Sequence, residues 1–254
     1  MKRFLLAIAD LLSTLWRLLP LGLRRRLFMG LFVLESRGDS AEGLRRLLGL
    51  EDALELVTNE RAMAYGRAEH PKHRLTDYHG FFIGRIADGE RVLDVGCGYG
   101  AVARSIARAR PAARVTGLDM DKGRLAQARA SDNPPNLAFL EGDATRTLPG
   151  DGFDVVVLSN VLEHIAERVP FLKAVLASVS PKRILIRVPL FERDWRMGLR
   201  RELAVDFRSD PDHKIEYTLA EFRSEIDQAG LEPVEILTMW GEIWAECRPV
   251  EQGS

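Results

Sequence analysis

The chain has 254 residues, 46% of them hydrophobic and 29% charged, with a formal net charge of −1. That is enough chain for one full core domain plus an accessory segment, and a net charge so near zero argues against nucleic acid as a partner. Two cysteines, Cys97 and Cys247, exclude a disulfide framework, no Cys/His spacing predicts a metal site, and the composition is that of a cytoplasmic protein.

Charge is unevenly placed. Residues 1–46 carry nine Lys/Arg against four acids, a local net of +5 that leaves −6 for the remainder. Within this stretch Phe4 to Leu19 is apolar around most of a helical wheel, with Arg3, Asp10, Ser13, Thr14 and Arg17 on one narrow face. Pro20 and Gly22 punctuate it, and Leu23 to Leu34 repeats the theme behind Arg24, Arg25 and Arg26. Charges interrupt every window of about 18 residues, so no spanning helix is expected. Asp10 inside the apolar run argues against a signal peptide. Residues 1–36 therefore read as an amphipathic basic arm. Two covers suit its leucines: a membrane surface, entered by Trp16, Phe28 and Phe32 with the arginines at anionic headgroups, or protein, as a helical lid or a homodimer interface.

Two helices are predicted next, Glu51 to Gly66 and Arg74 to Ile86, with His70, His73, Tyr78 and His79 clustered around the entry of the second. Then RVLDVGCGYG (Arg91 to Gly100) sets a short apolar strand ending in Asp94 against a turn through Gly96, Gly98 and Gly100 and a helix, AVARSIARAR. Glycine lets backbone approach a ligand closely, and the helix start behind it offers unpaired N–H groups, so a nucleotide-like ligand is expected here. The glycines alone also satisfy the dinucleotide fingerprint of nicotinamide enzymes.

Farther along, RVTGLDMD (Arg114 to Asp121) reads as a second buried strand ending in Asp119, and LAFLEGDA (Leu137 to Ala144) as a third followed by Asp143. Asp119 suits a ribose diol, since an ionised carboxylate accepts from both hydroxyls. Asp143 suits an adenine amine, and Asp94 the ammonium of an amino-acid moiety, which no nicotinamide cofactor has. A fourth strand (Phe153 to Ser159), a helix (Glu167 to Ser178) and a fifth strand (Lys182 to Val188) follow. Leu190 to Tyr217 is an Arg-, Trp- and Phe-rich insertion where the strand ends should form the mouth of a site. Thr218 caps a helix to Ala229, and Leu231 to Met239 with Glu242 to Cys247 forms a closing antiparallel hairpin.

With VLDVGCGYG, the acid Asp119, GDA and DGFDVVVLSNVLEHI (Asp151 to Ile165) in order, the chain resembles the class I S-adenosylmethionine-dependent methyltransferases from about Arg91 to Val188. The resemblance implies an α/β fold: a doubly wound, seven-stranded, mostly parallel sheet with a terminal antiparallel hairpin, here with an N-terminal helical extension. The expected division is an arm over 1–36 and a methyltransferase domain over 37–254, with the cofactor-binding core at 88–189 and a substrate-side insertion at 190–217. Asp94, Gly96, Gly98, Asp119, Met120, Asp143, Ala144 and Asn160 would line the S-adenosylmethionine site, with Cys97 and Gly100 completing the turn. Tyr78 or Arg74 would meet the methionine tail.

Methyl transfer needs positioning and, for a hydroxyl acceptor, a general base. His164 is the first catalytic candidate and His213 the second, with Glu163, Glu216 and Tyr217 weaker. Arg193, Trp195, Arg196 and Arg200 suit an anionic or sugar-like acceptor, or else form a solvated face. Absence of an NPPY or DPPY element after the fourth strand, where SNVL stands, argues again against nucleic acid. The expected activity is O-methylation of a small-molecule, glycan or lipid-linked acceptor at the cytoplasmic face of a membrane. A non-catalytic assembly protein on the same fold and a nicotinamide oxidoreductase are the alternatives.

Overall fold

The computed structural model describes residues 2–66, 70–150 and 152–250, giving backbone alone for 2–8 and 11. Asp151, where the VLEHI-containing motif begins, and the side chains of the arm's apolar positions 4–8 and 11 lie outside what is described.

Two helices, α1 (Lys2–Leu18) and α2 (Leu21–Glu35), meet at Pro20, with Trp16 edge-on to Phe28 at 5.6 Å between ring centroids. No residue of α2 is buried, and Leu23, Leu27, Phe28 and Leu31 all stand exposed. No described helix is long and apolar enough to cross a membrane.

The next helix, α3 (Ser40–Tyr65), starts well before the expected Glu51. Asp39 caps it, accepting from the Glu42 N–H at 2.9 Å, and Gly43 lets it close on α2, since a side chain there would run into the Ser36 carbonyl. The helix expected over Arg74 to Ile86 is broken in two, α4 (Lys72–Thr76) and α5 (Tyr78–Ile83), by Asp77 in the left-handed region at φ 51°. Aspartate tolerates that conformation better than most residues, a preference that apolar spacing does not report.

The remainder alternates strand and helix: β1 (Arg91–Val95), α6 (Ala101–Ala109), β2 (Arg114–Asp119), α7 (Lys122–Ala130), β3 (Leu137–Glu141), β4 (Val155–Ser159), α8 (Arg168–Val179) and β5 (Arg183–Pro189). Then come α9 (Trp195–Glu202), α10 (Leu219–Gln228), β6 (Leu231–Met239) and β7 (Glu242–Pro249). They form one sheet in the order β3-β2-β1-β4-β5-β7-β6, parallel except for β7, which runs antiparallel to both neighbours. This is the doubly wound sheet with terminal antiparallel hairpin that the sequence implied.

Alternation along the strands builds two cores. Leu93, Val95, Val156, Leu158 and Ile186 face Phe171, Leu172 and Val175 of α8 and Phe222 and Ile226 of α10. Val92, Val155, Val157 and Leu185 face Phe81 and Phe82 of α5 and Ala103 and Ile106 of α6. Burial on both faces explains why these strands are continuous apolar runs rather than half-polar ones. Winding reverses between β1 and β4, opening a crevice at their carboxyl ends.

Candidate functional site

The turn after β1 is fastened to β2. Gly96 and Cys97 N–H both donate to the Leu118 carbonyl (2.7 and 3.1 Å), and Gly98 N–H donates to Asp119 Oδ2 at 2.7 Å. Gly96 (φ 67°) cannot carry a side chain, which would strike Val161, whereas the space outside Gly98 (φ 54°) is open, as a backbone cradle for a ligand requires. Gly100 begins α6.

Asp119 also accepts from Asp121 N–H at 2.8 Å, so each of its oxygens keeps one lone pair for a ligand hydroxyl. Asp94 is buried at the head of the turn, and its Oδ2 has no hydrogen-bond partner among the described residues. Burial, reinforced by the nearby Asp119 charge, pushes its carboxyl up to about 7. Beyond the end of β4, Asn160 sits at φ 56° with its Oδ1 equally buried and unpartnered. Two orphaned acceptors beside one glycine turn are the kind of exception that a bound group with donors resolves.

A cavity of about 730 Å³ brings together Asp94, Gly96, Cys97, Asn160, His164 and His213. Asp119, Met120, Asp143 and Ala144 do not line it: past the ends of β2 and β3, Asp119 is buried, Asp143 and Ala144 are half-buried, and Met120 is 70% exposed. There the Asp143 carboxyl accepts from Thr145 through both Oγ (2.6 Å) and N–H (2.9 Å), which holds it below the usual carboxylate range. Burial raises the Cys97 thiol far above its usual value, so Cys97 is a small turn residue rather than a nucleophile.

Just after Asn160, a single 3-10 turn (Leu162–His164) carries Glu163 and His164, and the insertion brings His213 against them, its ring 4.6 Å from that of His164. Burial, then the charge of His213, lowers the His164 pKa and keeps the ring neutral. His213 Nδ1 lies 2.7 Å from Glu216 Oε1. Glu216 is itself filled by Ser209 N–H and Oγ and by Arg193. Burial disfavours charge on His213, but the bond to Glu216 and the Glu163 charge outweigh it and raise its pKa. Burial drives the Glu163 carboxyl up to about 7.

Several expected site residues lie elsewhere. Tyr217 is fully buried, and its hydroxyl donates to Glu225 at 2.8 Å, so it belongs to the core and not to the crevice. The arginines offered to an acceptor are taken by the chain's own carboxylates: Arg193 by Glu216, Arg196 by Asp194 and Glu51, Arg200 by Asp52 (2.7 Å) and Glu51 (3.1 Å). Arg200 is nearly buried, and it fastens the insertion to α3. Trp195 remains open at 77% exposure. Tyr78 lines the crevice and Arg74 does not.

Arg187, missed at first, crosses the Tyr78 ring at 3.8 Å and pairs with Glu242 on the crevice wall. A charge inside the otherwise apolar run RILIRVP was its signal.

Residues 92–182 match the family model described as Methyltransferase domain. The chain is 38% identical over 98 residues to a ubiquinone biosynthesis O-methyltransferase of Neisseria meningitidis, covering 37% of this chain and 41% of that protein. It is 28% identical over 129 residues to a trans-aconitate 2-methyltransferase of Rhodopseudomonas palustris, covering 45% and 50%. The chain thus spans half the length, or less, of these curated relatives. Among solved structures it is similar in fold to the mitomycin 7-O-methyltransferase MmcR (TM-score 0.57, 22% identity, 73% of this chain and 56% of that one). It is also similar to the magnesium protoporphyrin IX methyltransferase ChlM of Synechocystis PCC 6803 with bound SAH (TM-score 0.54, 17% identity, 70% and 83%).

Proposed function

Since residues 92–182 form a methyltransferase domain on the class I, S-adenosylmethionine-dependent fold, we propose that the protein transfers a methyl group from S-adenosylmethionine to a hydroxyl oxygen. One observation carries this reading: the orphaned Asp94 and Asn160 oxygens stand in the same crevice as the paired rings of His164 and His213. Groups able to hold the donor thus share one cavity with groups able to handle a proton.

The described residues fit the cofactor. Asp94 takes its ammonium, and the open cradle at Gly98 admits its tail beside Gly96, Cys97 and Gly100. Asp119 takes the ribose diol, Met120 and Ala144 flank the adenine, and Asp143 accepts from its amine. Asn160 accepts from the amino-acid end. When bound, S-adenosylmethionine supplies a methyl on a sulfonium, whose C–S bond breaks, with the pair staying on sulfur, as the O–C bond forms. The chain's part would be to hold the acceptor near the methyl group, since an in-line approach at about 3 to 3.5 Å removes a large entropic term. His164 and His213 deal with the hydroxyl proton.

Calorimetry with S-adenosylmethionine, its demethylated product and NAD tests the cofactor: the first two bind and NAD does not. Binding of NAD alone would establish the oxidoreductase alternative, and cofactor binding with no labelled product from cell extract would favour the assembly protein.

For the acceptor we favour a small molecule, glycan precursor or lipid-linked compound at the cytoplasmic face of a membrane. Support comes from the exposed apolar side chains of α1 and α2 beside Arg24, Arg25 and Arg26. In this reading residues 1–36 are a surface anchor, 37–254 are the enzyme, and 190–217 roof the acceptor. Each arginine contributes roughly 1 kcal/mol at an anionic surface, so replacing all three by Ala should weaken partitioning about 100-fold. Flotation on anionic liposomes checks this, and full-length protein that stays in the soluble fraction would leave the arm to a lid or a homodimer.

A further inference from the structure

Glu163 is enclosed completely, yet neither of its carboxylate oxygens has a hydrogen-bond partner among the described residues. A buried carboxylate left bare is costly unless something cationic or protic meets it. What faces it is His213 Nε2, 4.0 Å from Glu163 Oε1. That is too long for a hydrogen bond.

The other side of the same ring decides what Nε2 offers. Glu216 is held by two donors from Ser209 and one from Arg193, so it is an acceptor, and His213 Nδ1 must donate to it. In the neutral ring Nε2 then carries a lone pair aimed toward a carboxylate oxygen. The carboxylates that raise the His213 pKa draw a cation to this gap, either a proton on Nε2 or a metal ion; with the proton displaced, two electron-rich atoms face one another across 4.0 Å. His164, next to Glu163 on the same 3-10 turn, brings a third donor, and one ligand atom from each residue lies within 4.8 Å of the others. Two ligands about 2.1 Å from one ion stand about 3.4 to 4.2 Å apart, so the Glu163–His213 pair already has the spacing of a shared ion.

We infer that Glu163, His164 and His213 hold one divalent first-row transition ion, with its remaining coordination positions open to the crevice. Two imidazoles and one carboxylate suit Zn²⁺ or Co²⁺ far better than Mg²⁺ or Ca²⁺, which prefer all-oxygen shells. Glu216 orients His213 from behind, as carboxylates commonly do for histidine ligands. The inference rests on the methyl-transfer reading and changes the part its histidines play there: as ligands they would no longer take the proton themselves, and an acceptor hydroxyl at the open position would instead be polarised by the ion, lose its proton to solvent and present an oxygen lone pair to the methyl group. Asn160 and Asp94 line the same cavity as His164 and His213, which would put donor and ion in one crevice.

The test uses full-length protein stripped with chelator, and Co²⁺, Zn²⁺ and Mg²⁺ as probes without any methyl donor. One Co²⁺ per chain with visible d–d bands, displaced by Zn²⁺ and not by Mg²⁺, is expected. Glu163→Gln, which keeps the buried shape, should abolish the bands. Glu216→Gln, which leaves all three ligands in place, should weaken Zn²⁺ by about 10- to 100-fold. Co²⁺ spectra that are featureless, or unchanged in Glu163→Gln, overturn the site. S-adenosylmethionine binding, measured in parallel by calorimetry, separates the two readings. Glu163-dependent Co²⁺ binding in a protein that ignores the donor would sink the transferase and keep the ion. Donor binding without a Glu163-dependent Co²⁺ signal would do the reverse.

Discussion

The two walls of the crevice are made differently. The donor wall is local: Asp94, Gly96 and Gly98 stand within five residues, and Asp119 is tied to them through the Gly98 N–H. The acceptor wall is assembled from two places, the turn after β4 and an insertion that returns His213 to Glu163 and His164. The first is fixed by backbone geometry, which tolerates few substitutions. The second is fixed by side-chain hydrogen bonds, which are easier to rearrange while the sheet stays the same. A fold of this kind can keep its donor and change its acceptor.

Substitutions should separate the walls by which constant moves. The largest effect is expected at His164→Ala, which slows methyl transfer by about 10² to 10⁴ while leaving the cofactor dissociation constant nearly unchanged; single-turnover rates and calorimetry read the two. Asp119→Ala should do the opposite, weakening cofactor binding by about 10- to 150-fold, the loss of hydrogen bonds to a charged group. If both variants altered the same constant, the division into two walls would be wrong.

A smaller effect sharpens the donor side. With its carboxyl pushed up to about 7 by burial, Asp94 must lose a proton to meet an ammonium. Cofactor affinity should therefore fall as pH drops below about 7, by at most about tenfold per unit, with proton release on binding, and Asp94→Asn should flatten that profile. The stability sign is opposite. An acid raised from 3.8 to about 7 favours the unliganded fold below pH 4, and that contribution is lost as pH rises through 7.

The smallest effect lies away from both walls: Thr218 and Glu221 form a reciprocal cap at the start of α10, and Thr218→Ala should cost about 1 kcal/mol of stability without altering either constant. A thermal melt beside the kinetics checks it.

The succession of strands along the chain, the glycine turn and the aspartates were readable because each is set by neighbours in the chain: apolar runs, turn chemistry and the end of a strand. Glu163, His164 and His213 were each visible as separate candidates, but nothing in their spacing joined His213 to the other two, since a long loop decides where it returns. The insertion's arginines looked like ligands for an acceptor, and only the packing of α9 on α3 reveals Glu51 and Asp52 as their partners. Helix boundaries slipped where a single residue intervened: Asp77 splits a helix that apolar spacing joins, and Gly43 hides the start of another.

The Arg200 clamp has a mechanical consequence. Because α3 is tied to α2 at one end and grips the 190–217 segment through Asp52 and Glu51, a shift of the leading helices would be carried to the segment that lines the crevice through Arg193, Ser209 and His213.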